Sequence, residues 1–257
     1  MIQGKQTEWI EQWEIFECDD LFLFGDWITP YKLSDFRGKH VLEGGCGGGQ
    51  HTNLIASYAK NIIAVDLNTI NVAKNRNSHN DNIIFIEEDI ANMDLGNTFD
   101  FVLSIGVVHH TDDPDQTVSN LKKHVKQGGC LILWVYSHEG NFLLRSIVEP
   151  LRKIFLKKLK RGTLLRISTI LTAILYLPVF TIYRIGFRFL PYYEYFGNFR
   201  RLTFQKNLLN VFDKLNAPQV TLITESQARS WLPEHEYENI YIDSYKNVSW
   251  RISGKKK

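Results

Sequence analysis

A glycine-rich segment at residues 43–49 has the spacing best suited to holding a ligand. It reads Glu-Gly-Gly-Cys-Gly-Gly-Gly. Glycine adopts positive φ and lets backbone N–H groups approach a ligand closely. The dinucleotide pattern G-x-G-x-x-G would need glycine at position 50 or 52, where the chain has Gln50 and Thr52. The acid Glu43 can instead meet the ammonium of a zwitterionic ligand, so the segment favours an aminoacyl-nucleoside over a pyrophosphate. The alternative is a tight turn that binds nothing.

Two acidic positions follow at spacings that suit a nucleoside. Asp66 closes the apolar run 62–65, where a carboxylate can accept both hydroxyls of a ribose; its alternative role is a helix N-cap. Residues 87–90 read Glu-Glu-Asp-Ile. We expect Asp89 to accept from an adenine amino group and Ile90 to pack on the ring, although a solvated acidic loop is the other interpretation.

His109 and His110 follow the apolar run 99–105. A neutral imidazole can take a proton from a hydroxyl nucleophile, so this pair is the candidate general base. The alternative is that one histidine packs against or caps the loop at residues 111–114.

The positions of these motifs require alternating strands and helices. Apolar runs predict strands at 40–42, 62–65, 83–86, 99–105 and 130–136, and helical patterns at 50–60, 68–80 and 114–126 lie between them. Asn68 is the expected N-cap of the second helix, and Gly128-Gly129 is expected to break the third. Residues 225–232 predict a helix, and 239–245 and 248–252 predict two strands joined at Lys246-Asn247. The fold class is therefore α/β, a doubly wound sheet of seven strands with the last strand antiparallel.

These motifs together resemble class I S-adenosylmethionine-dependent methyltransferases, most closely the broad group called methyltransferase type 11. The similarity runs from residues 41–49 through Val65-Asp66 and 88–90 to 99–111. It implies a Rossmann-like fold, S-adenosylmethionine as cofactor and S-adenosylhomocysteine as product. It also implies cofactor roles for Glu43, Gly45, Gly47, Asp66, Asp89, Ile105, Gly106 and Val107. We extend the expected cofactor site to the neighbouring Gly44, Cys46, Gly49, His51, Thr52, Leu67 and Ile90.

Four regions are expected along the chain. Residues 1–37 form a helical lead-in, which either packs on the core or covers the site; residues 38–137 bind the cofactor; residues 138–216 are a helical insertion; and residues 217–257 close the core. The expected substrate-binding residues come from the lead-in, the histidine pair and the insertion: Trp9, Trp13, His110, Tyr192, Tyr193, Tyr195 and Arg200. Packing between the insertion and the core is the other interpretation of the aromatic residues.

The charge of the chain is concentrated in the insertion. Residues 140–210 contain thirteen Lys or Arg and two Glu, a net charge of +11, whereas the whole chain carries +2. Residues 152–166 include seven of these bases among apolar side chains, a pattern that suits anionic lipid, RNA phosphates or a solvated helix face. Residues 167–183 are uncharged, and we expect a buried or interfacial helix pair broken at Pro178 rather than a membrane span. Residues 152–190 are the expected site of a peripheral membrane contact.

The three cysteines, Cys18, Cys46 and Cys130, show neither disulfide nor metal-ligand spacing, and no metal is expected. The first residues lack the pattern of a signal peptide. A cytoplasmic location is therefore expected, with a peripheral contact to the inner face of a membrane.

Three functions fit these observations. The first is methylation of a small or lipid-like molecule under the helical insertion. The second is methylation of tRNA, since wobble-uridine methyltransferases carry a similar Ser-Ile-x-Val-x-His-His stretch. The third is a non-catalytic cofactor-binding or membrane-associated module.

Overall fold

A seven-stranded sheet forms the centre of the chain in this computed structural model, which describes residues 6–16 and 21–257. Cys18 lies outside the described residues. The strands follow the order β3-β2-β1-β4-β5-β7-β6. They are β1 (His40–Gly44), β2 (Asn61–Asp66), β3 (Ile83–Glu87), β4 (Phe99–Ile105), β5 (Val125–Tyr136), β6 (Tyr237–Tyr245) and β7 (Ser249–Lys256). Strands β1 to β5 pair in parallel, and β7 runs antiparallel to both of its neighbours. The predicted fold class is confirmed.

The central strands are buried because their sequences are apolar on both faces. In β4, every residue except Asp100 is buried, as expected for a parallel strand covered by helices on both sides. The register pairs Glu43 with Ala64 and with Leu103, so the carboxyl ends of β1, β2 and β4 lie side by side. The glycine-rich segment, Asp66 and the histidine pair are thereby brought to one edge of the sheet.

Ten α-helices are defined among the described residues, and the first five belong to the lead-in and the core. These are α1 (Thr7–Ile15), α2 (Leu21–Trp27), α3 (Gln50–Ala56), α4 (Ile70–Arg76) and α5 (Pro114–Lys123). Helix α4 is shorter than predicted, and Thr69 rather than Asn68 is its N-cap. The predicted N-cap is wrong because Asp66 accepts the backbone N–H groups of both Asn68 and Thr69.

The predicted break at Gly128-Gly129 is also wrong, because both glycines lie within β5. Pairing with β4 shifts there: Phe99 faces Val125, but Phe101 faces Cys130. Gly128 has a φ of 73°, and a Cβ on Gly129 would lie 2.8 Å from the carbonyl oxygen of Phe99. The two glycines therefore permit a bulge in the strand instead of ending a helix.

The insertion after β5 consists of helices and turns. A π-helical turn (Leu144–Val148) leads into α6 (Glu149–Ile154), followed by α7 (Arg161–Phe180), α8 (Tyr193–Phe199) and α9 (Phe204–Asn216); α10 (Glu225–Ser230) then precedes the closing hairpin. Helix α7 packs on α9. The predicted break at Pro178 is wrong, since the helix ends two residues later. A proline in the last turn costs the helix only one hydrogen bond.

Helix α1 joins the core to the insertion. The guanidinium of Arg76 in α4 donates to the carbonyls of Trp13 and Phe16. From the other side, Arg161 of α7 lies 2.7 Å from the carboxylate of Glu8 and 3.3 Å from that of Glu11. The lead-in is therefore held by ion pairs and hydrogen bonds from two directions.

Gly140 provides a stability test of how the insertion is attached. A Cβ at this position would overlap the backbone carbonyl of Asn247 in the β6–β7 turn. We expect Gly140→Ala to lower the free energy of unfolding by about 2–3 kcal/mol, because neither backbone segment can move away without loss of contacts. Urea denaturation measures this change. Gly162→Ala is the matched control, because no atom lies within 4 Å of its added Cβ. Equal stability of the two variants would contradict the expected contact.

Candidate active site

A cavity of about 860 Å³ opens at the carboxyl ends of β1, β2 and β4. This volume lies within the range of ligand sites in proteins, roughly 300–1,000 Å³. Its lining includes seven carboxylates and, among the described residues, neither lysine nor arginine. The acids are Asp66, Glu87, Glu88, Asp89, Asp112, Asp113 and Asp213. The cavity therefore suits a cationic or neutral ligand better than a polyanion.

The glycine-rich loop forms one wall where side chains do not fit. Gly45 has a φ of 81°, and a Cβ there would overlap the Val107 side chain. Gly47 has a φ of 55°, and a Cβ there would lie 3.0 Å from the Trp13 indole. Glycine is required at both positions for conformation and for space. The loop backbone itself therefore faces the cavity.

The carboxylate of Asp66 fixes this loop. One oxygen accepts the backbone N–H of Gly47 at 2.9 Å, and the other accepts those of Asn68 and Thr69 at 2.9 and 3.0 Å. The Thr69 hydroxyl donates to the Gly47 carbonyl at 2.6 Å. Asp66 thus lines the cavity as predicted and also fixes the turn before α4, but the N-cap of that helix is Thr69.

Glu43 lies behind the loop and is buried. Its carboxyl accepts the Thr52 hydroxyl at 2.6 Å, and His51 Nδ1 lies 3.8 Å from its other oxygen. Burial raises the pKa of Glu43 to about 8, the nearby charge of Asp66 adds to this shift, and the Thr52 hydrogen bond opposes it. The carboxyl is therefore protonated at neutral pH.

The two histidines have different surroundings. His110 lines the cavity, and its Nδ1 lies 2.8 Å from the Gln219 carbonyl oxygen. Because that partner only accepts, Nδ1 carries the proton and Nε2 carries the lone pair. Burial lowers the pKa of His110, so the ring is neutral at pH 7. His109 is fully buried between His110 and Tyr136, with ring centroids 4.2 Å from each, and burial holds its pKa well below the usual range.

The side of the cavity near His110 contains polar groups from distant parts of the chain. The Trp9 ring lies 4.8 Å from that of His110. Asp213 of α9 accepts from Gln12 Nε2 at 3.0 Å and from the Tyr136 hydroxyl at 3.1 Å. Gln219 donates its amide to the His110 carbonyl at 2.9 Å. These groups can orient a hydroxyl or amine next to the His110 ring.

The comparisons with known sequences agree on the core of the chain. Residues 42–133 match the family model described as a methyltransferase domain. Over these residues the chain is similar to a methyltransferase domain. The tRNA U34 carboxymethyltransferase of Alteromonas mediterranea is 32% identical over 145 residues, which cover 52% of this chain and 40% of that protein. The ubiquinone biosynthesis O-methyltransferase of Coxiella burnetii is 30% identical over 131 residues, which cover 47% of this chain and 56% of that one. The chain thus spans about half the length of the curated relatives that it matches.

A solved structure extends the comparison of folds beyond the methyltransferase domain. The magnesium protoporphyrin IX methyltransferase from Synechocystis PCC 6803, crystallised with S-adenosylhomocysteine, aligns with a TM-score of 0.52. The alignment covers 99% of this chain and 90% of that one at 12% sequence identity. At this identity the likeness concerns the fold alone.

Most of the predicted cofactor residues of the methyltransferase domain meet at the cavity. Eleven of the fifteen line it: Gly45, Cys46, Gly47, His51, Asp66, Leu67, Asp89, Ile90, Ile105, Gly106 and Val107. Glu43, Gly44, Gly49 and Thr52 lie behind the lining. Asp89 uses its carboxylate to accept the Ala91 backbone N–H and the Asn92 amide, at 2.9 and 2.7 Å.

The predicted substrate residues divide into two groups. Trp9, Trp13 and His110 line the cavity, whereas Tyr192, Tyr193, Tyr195 and Arg200 do not. These four pack within the insertion and its junctions: the Tyr195 hydroxyl accepts from Lys214, and the Tyr192 hydroxyl accepts the Leu143 backbone N–H. Arg200 donates to the Tyr183 carbonyl, and the Tyr193 ring stacks on Tyr183. The position of these aromatic residues therefore agrees with packing between the insertion and the core, and not with contact to a ligand in the cavity.

Sequence reasoning missed Gln12, Asp213 and Gln219 of the cavity wall. Gln12 and Asp213 are 201 residues apart, and neither lies in a motif. The amphipathic pattern of α9 predicts only which of its faces is buried. The sequence signal for Asp213 was limited to its place beside the apolar positions of α9, which does not indicate a cavity.

Glu43 should make the stability of the methyltransferase domain depend on pH. The folded state keeps its proton up to about pH 8, whereas the unfolded chain releases it above about 4.5, so the folded state binds more protons between these values. The free energy of unfolding should therefore fall as pH rises through this window, by up to about 1.4 kcal/mol per pH unit from this group. We expect Glu43→Gln to remove that component. Urea unfolding from pH 5 to about 8 measures it.

Glu88→Gln is the control for the change in net charge, because Glu88 is exposed at the cavity rim. If Glu43→Gln and Glu88→Gln followed the same pH dependence, the burial of a protonated Glu43 would be contradicted.

Proposed function

We propose that the chain is an S-adenosylmethionine-dependent methyltransferase acting on a small or lipid-like molecule. One observation carries the proposal. Within the segment that matches the methyltransferase family, Gly45, Gly47 and Asp66 meet at one acid-lined cavity with the predicted adenine-binding residues Asp89 and Ile90. Of the two curated relatives described above, one is named an O-methyltransferase and the other a carboxymethyltransferase.

The residues present fit S-adenosylmethionine. Gly45 and Gly47 line the cavity without side chains, and Val107 and Trp13 pack where a Cβ would otherwise lie. Asp66 would meet the ribose, Asp89 and Ile90 the adenine, and the carboxylates of the lining suit a sulfonium cation. When bound, the cofactor supplies an electrophilic methyl group. The chain's own residues orient the acceptor and exclude water, and such alignment gives effective molarities of about 10⁵–10⁸ M in intramolecular reactions.

His110 is the proposed general base for a hydroxyl or amine acceptor. Its Nδ1 proton is held by the Gln219 carbonyl, so Nε2 is free to accept a proton. Trp9 provides an apolar surface beside the His110 ring, and Asp213 provides a hydrogen-bond acceptor held by the Tyr136 hydroxyl. We assign this role to His110 rather than to His109, because His109 is buried and does not line the cavity.

Methylation of tRNA is the second candidate, favoured by the 32% identity to the tRNA U34 carboxymethyltransferase. The seven carboxylates of the lining weigh against it, because they would repel phosphates near the site. The tRNA function would be favoured over the small-molecule function if the chain transferred a labelled methyl group to tRNA and bound tRNA with an affinity that falls steeply with salt. Cofactor binding without transfer to any acceptor would leave a non-catalytic module.

We propose a cytoplasmic location for this enzyme, with a peripheral membrane contact through residues 152–190. Cys46 and Cys130 are both free thiols, as is usual in a reducing compartment. The exposed apolar side chains of the insertion support the membrane contact.

Asp66 offers a direct test of the cofactor proposal. We expect Asp66→Asn to weaken binding of S-adenosylhomocysteine about 10- to 100-fold, because a hydrogen bond to a charged group contributes about 1.5–3 kcal/mol. The asparagine keeps only one acceptor oxygen, so it retains the N–H of Gly47 or those of Asn68 and Thr69 but not both sets, and urea denaturation must show that the variant remains folded. Isothermal titration calorimetry measures the affinity. Asp94→Asn is the control, since Asp94 is an exposed acid that also accepts a backbone N–H, from Gly96. Unchanged affinity in Asp66→Asn would refute the ribose contact.

His110→Gln tests the proposed base. We expect the rate of methyl transfer to fall about 10²- to 10⁴-fold with little change in cofactor affinity. Because burial lowers the pKa of His110, the wild-type rate should fall only below about pH 6.5, and the variant should lose this acid limb. Transfer of radiolabelled methyl to a panel of phenols, catechols and amines measures both effects. His79→Gln is the control, as His79 is exposed and outside the cavity. A variant that keeps the wild-type rate and acid limb would exclude the base role.

A further inference from the structure

Exposed apolar side chains are concentrated in one part of the molecule. Eighteen large hydrophobic residues are exposed among the described residues, and fifteen of them lie in residues 142–189. Soluble proteins rarely expose continuous apolar patches beyond a few hundred Å², and larger ones mark interaction sites. The proposed methyl transfer does not use these side chains, because none of them lines the cavity.

Helix α7 presents its apolar side to solvent. Ile170, Ile174 and Leu177 recur at helical spacing on the exposed face, and Leu177 is 73% exposed. The face turned toward the protein includes Ser168 and Thr172, which are fully buried. Their hydroxyls donate to carbonyls of the same helix, those of Leu164 and Ser168, at 2.9 and 2.7 Å. A surface helix that contacts only water and the protein core would bury its apolar side chains and expose its polar ones.

The segment after α7 continues this surface and adds positive charge. Ile182, Ile185, Phe187 and Phe189 are exposed, with Phe189 at 82%. Arg184 and Arg188 alternate with them in the sequence and are exposed as well. Aromatic and basic side chains in alternation are typical of the boundary between acyl chains and lipid headgroups. We call the exposed residues of α7 together with 182–189 the apolar face.

The charge around this face is strongly positive. Residues 142–189 contain ten Lys or Arg and one acid, Glu149, a net charge of +9. Five of these bases are exposed and form no ion pair with any described residue: Lys158, Lys160, Arg166, Arg184 and Arg188. Two others are unavailable, because Arg152 is buried and Arg161 pairs with Glu8 and Glu11. The available charge therefore includes Arg184 and Arg188 within the apolar face as well as three bases of the predicted stretch 152–166.

We propose that the apolar face docks on the surface of a bilayer that contains anionic lipid, with α7 lying in the plane of the interface. Charge selects this partner: a second copy of the chain would bring another segment of +9, whereas anionic headgroups neutralise the five exposed bases. Within the described residues, α7 is the one helix long and apolar enough to cross a membrane, with a mean hydropathy of 1.7. Its inner face, however, packs on α9: Leu164 is clustered with Leu209 and Phe212, and the Tyr176 hydroxyl accepts the Asn207 amide at 3.0 Å. The helix thus inserts its outer face and keeps its inner face on the protein.

Vesicle co-sedimentation of the full chain tests the docking. We expect binding to phosphatidylcholine vesicles that contain about 30% phosphatidylglycerol, and much weaker binding to phosphatidylcholine alone or in high salt. Ile174→Ser/Leu177→Ser/Phe189→Ser should reduce binding at least about tenfold, because three inserted side chains are lost. Arg184→Gln/Arg188→Gln should reduce it about tenfold through charge.

Two variants serve as matched controls. Ile84→Ser removes an apolar side chain that is 58% exposed on the edge strand β3. Lys60→Gln/Lys74→Gln removes two exposed positive charges that lie outside the insertion. Both variants should bind vesicles like the wild type. S-adenosylhomocysteine affinity should be the same in every variant, so loss of docking and failure of the proposed methyl transfer are separate results.

Four outcomes would overturn the proposal. They are no binding of the wild type to anionic vesicles, equal binding by the triple serine variant, retention in cell membranes after alkaline carbonate extraction, and a concentration-dependent oligomer that the triple variant abolishes. The third would indicate a membrane span and the fourth an interface between copies of the chain.

Discussion

The carboxylate of Asp66 accepts hydrogen bonds from Gly47 in the glycine-rich loop and from Asn68 and Thr69 at the start of α4. A single side chain at the end of β2 thereby fixes the loop that follows β1 and the helix that follows β2. This is possible only because the two strands are parallel neighbours whose carboxyl ends meet at one edge. Gly47, which has a positive φ and lies against Trp13 in the cavity wall, is held in place by this connection.

Burial determines which groups around the cavity carry charge. It raises the pKa of Glu43 to about 8 and lowers that of His51 to about 3, and it also lowers those of His109 and His110. Each of these groups is neutral at pH 7, because an isolated charge is costly away from water. The negative field of the cavity therefore comes from the carboxylates of its lining, and His110 is neutral with its Nδ1 held by the Gln219 carbonyl.

The insertion makes two kinds of surface from one basic, apolar stretch. Arg152 and Arg161 point inward, where one donates to the Lys214 carbonyl and the other pairs with α1. Ile174, Leu177 and Phe189 point outward with Arg184 and Arg188. Helix α7 packs on α9, and α9 carries Asp213 into the cavity wall, so the exposed face of the insertion and the cavity are connected through α9. The two faces of the insertion therefore belong to different interactions.

The amino-acid sequence by itself determined the order of the elements and the local motifs. The limits of β4 at Phe99 and Ile105 follow from its apolar run, and the spacing of Gly45 and Gly47 is a property of a few neighbouring residues. Only the tertiary structure decided that Glu43 lies behind the loop, that Tyr195 packs against Lys214, and that Gln12 meets Asp213 across 201 residues. The physical reason is range: periodicity and turn conformation depend on adjacent residues. The direction of a side chain, its burial and its pKa depend on whichever distant segment packs against it.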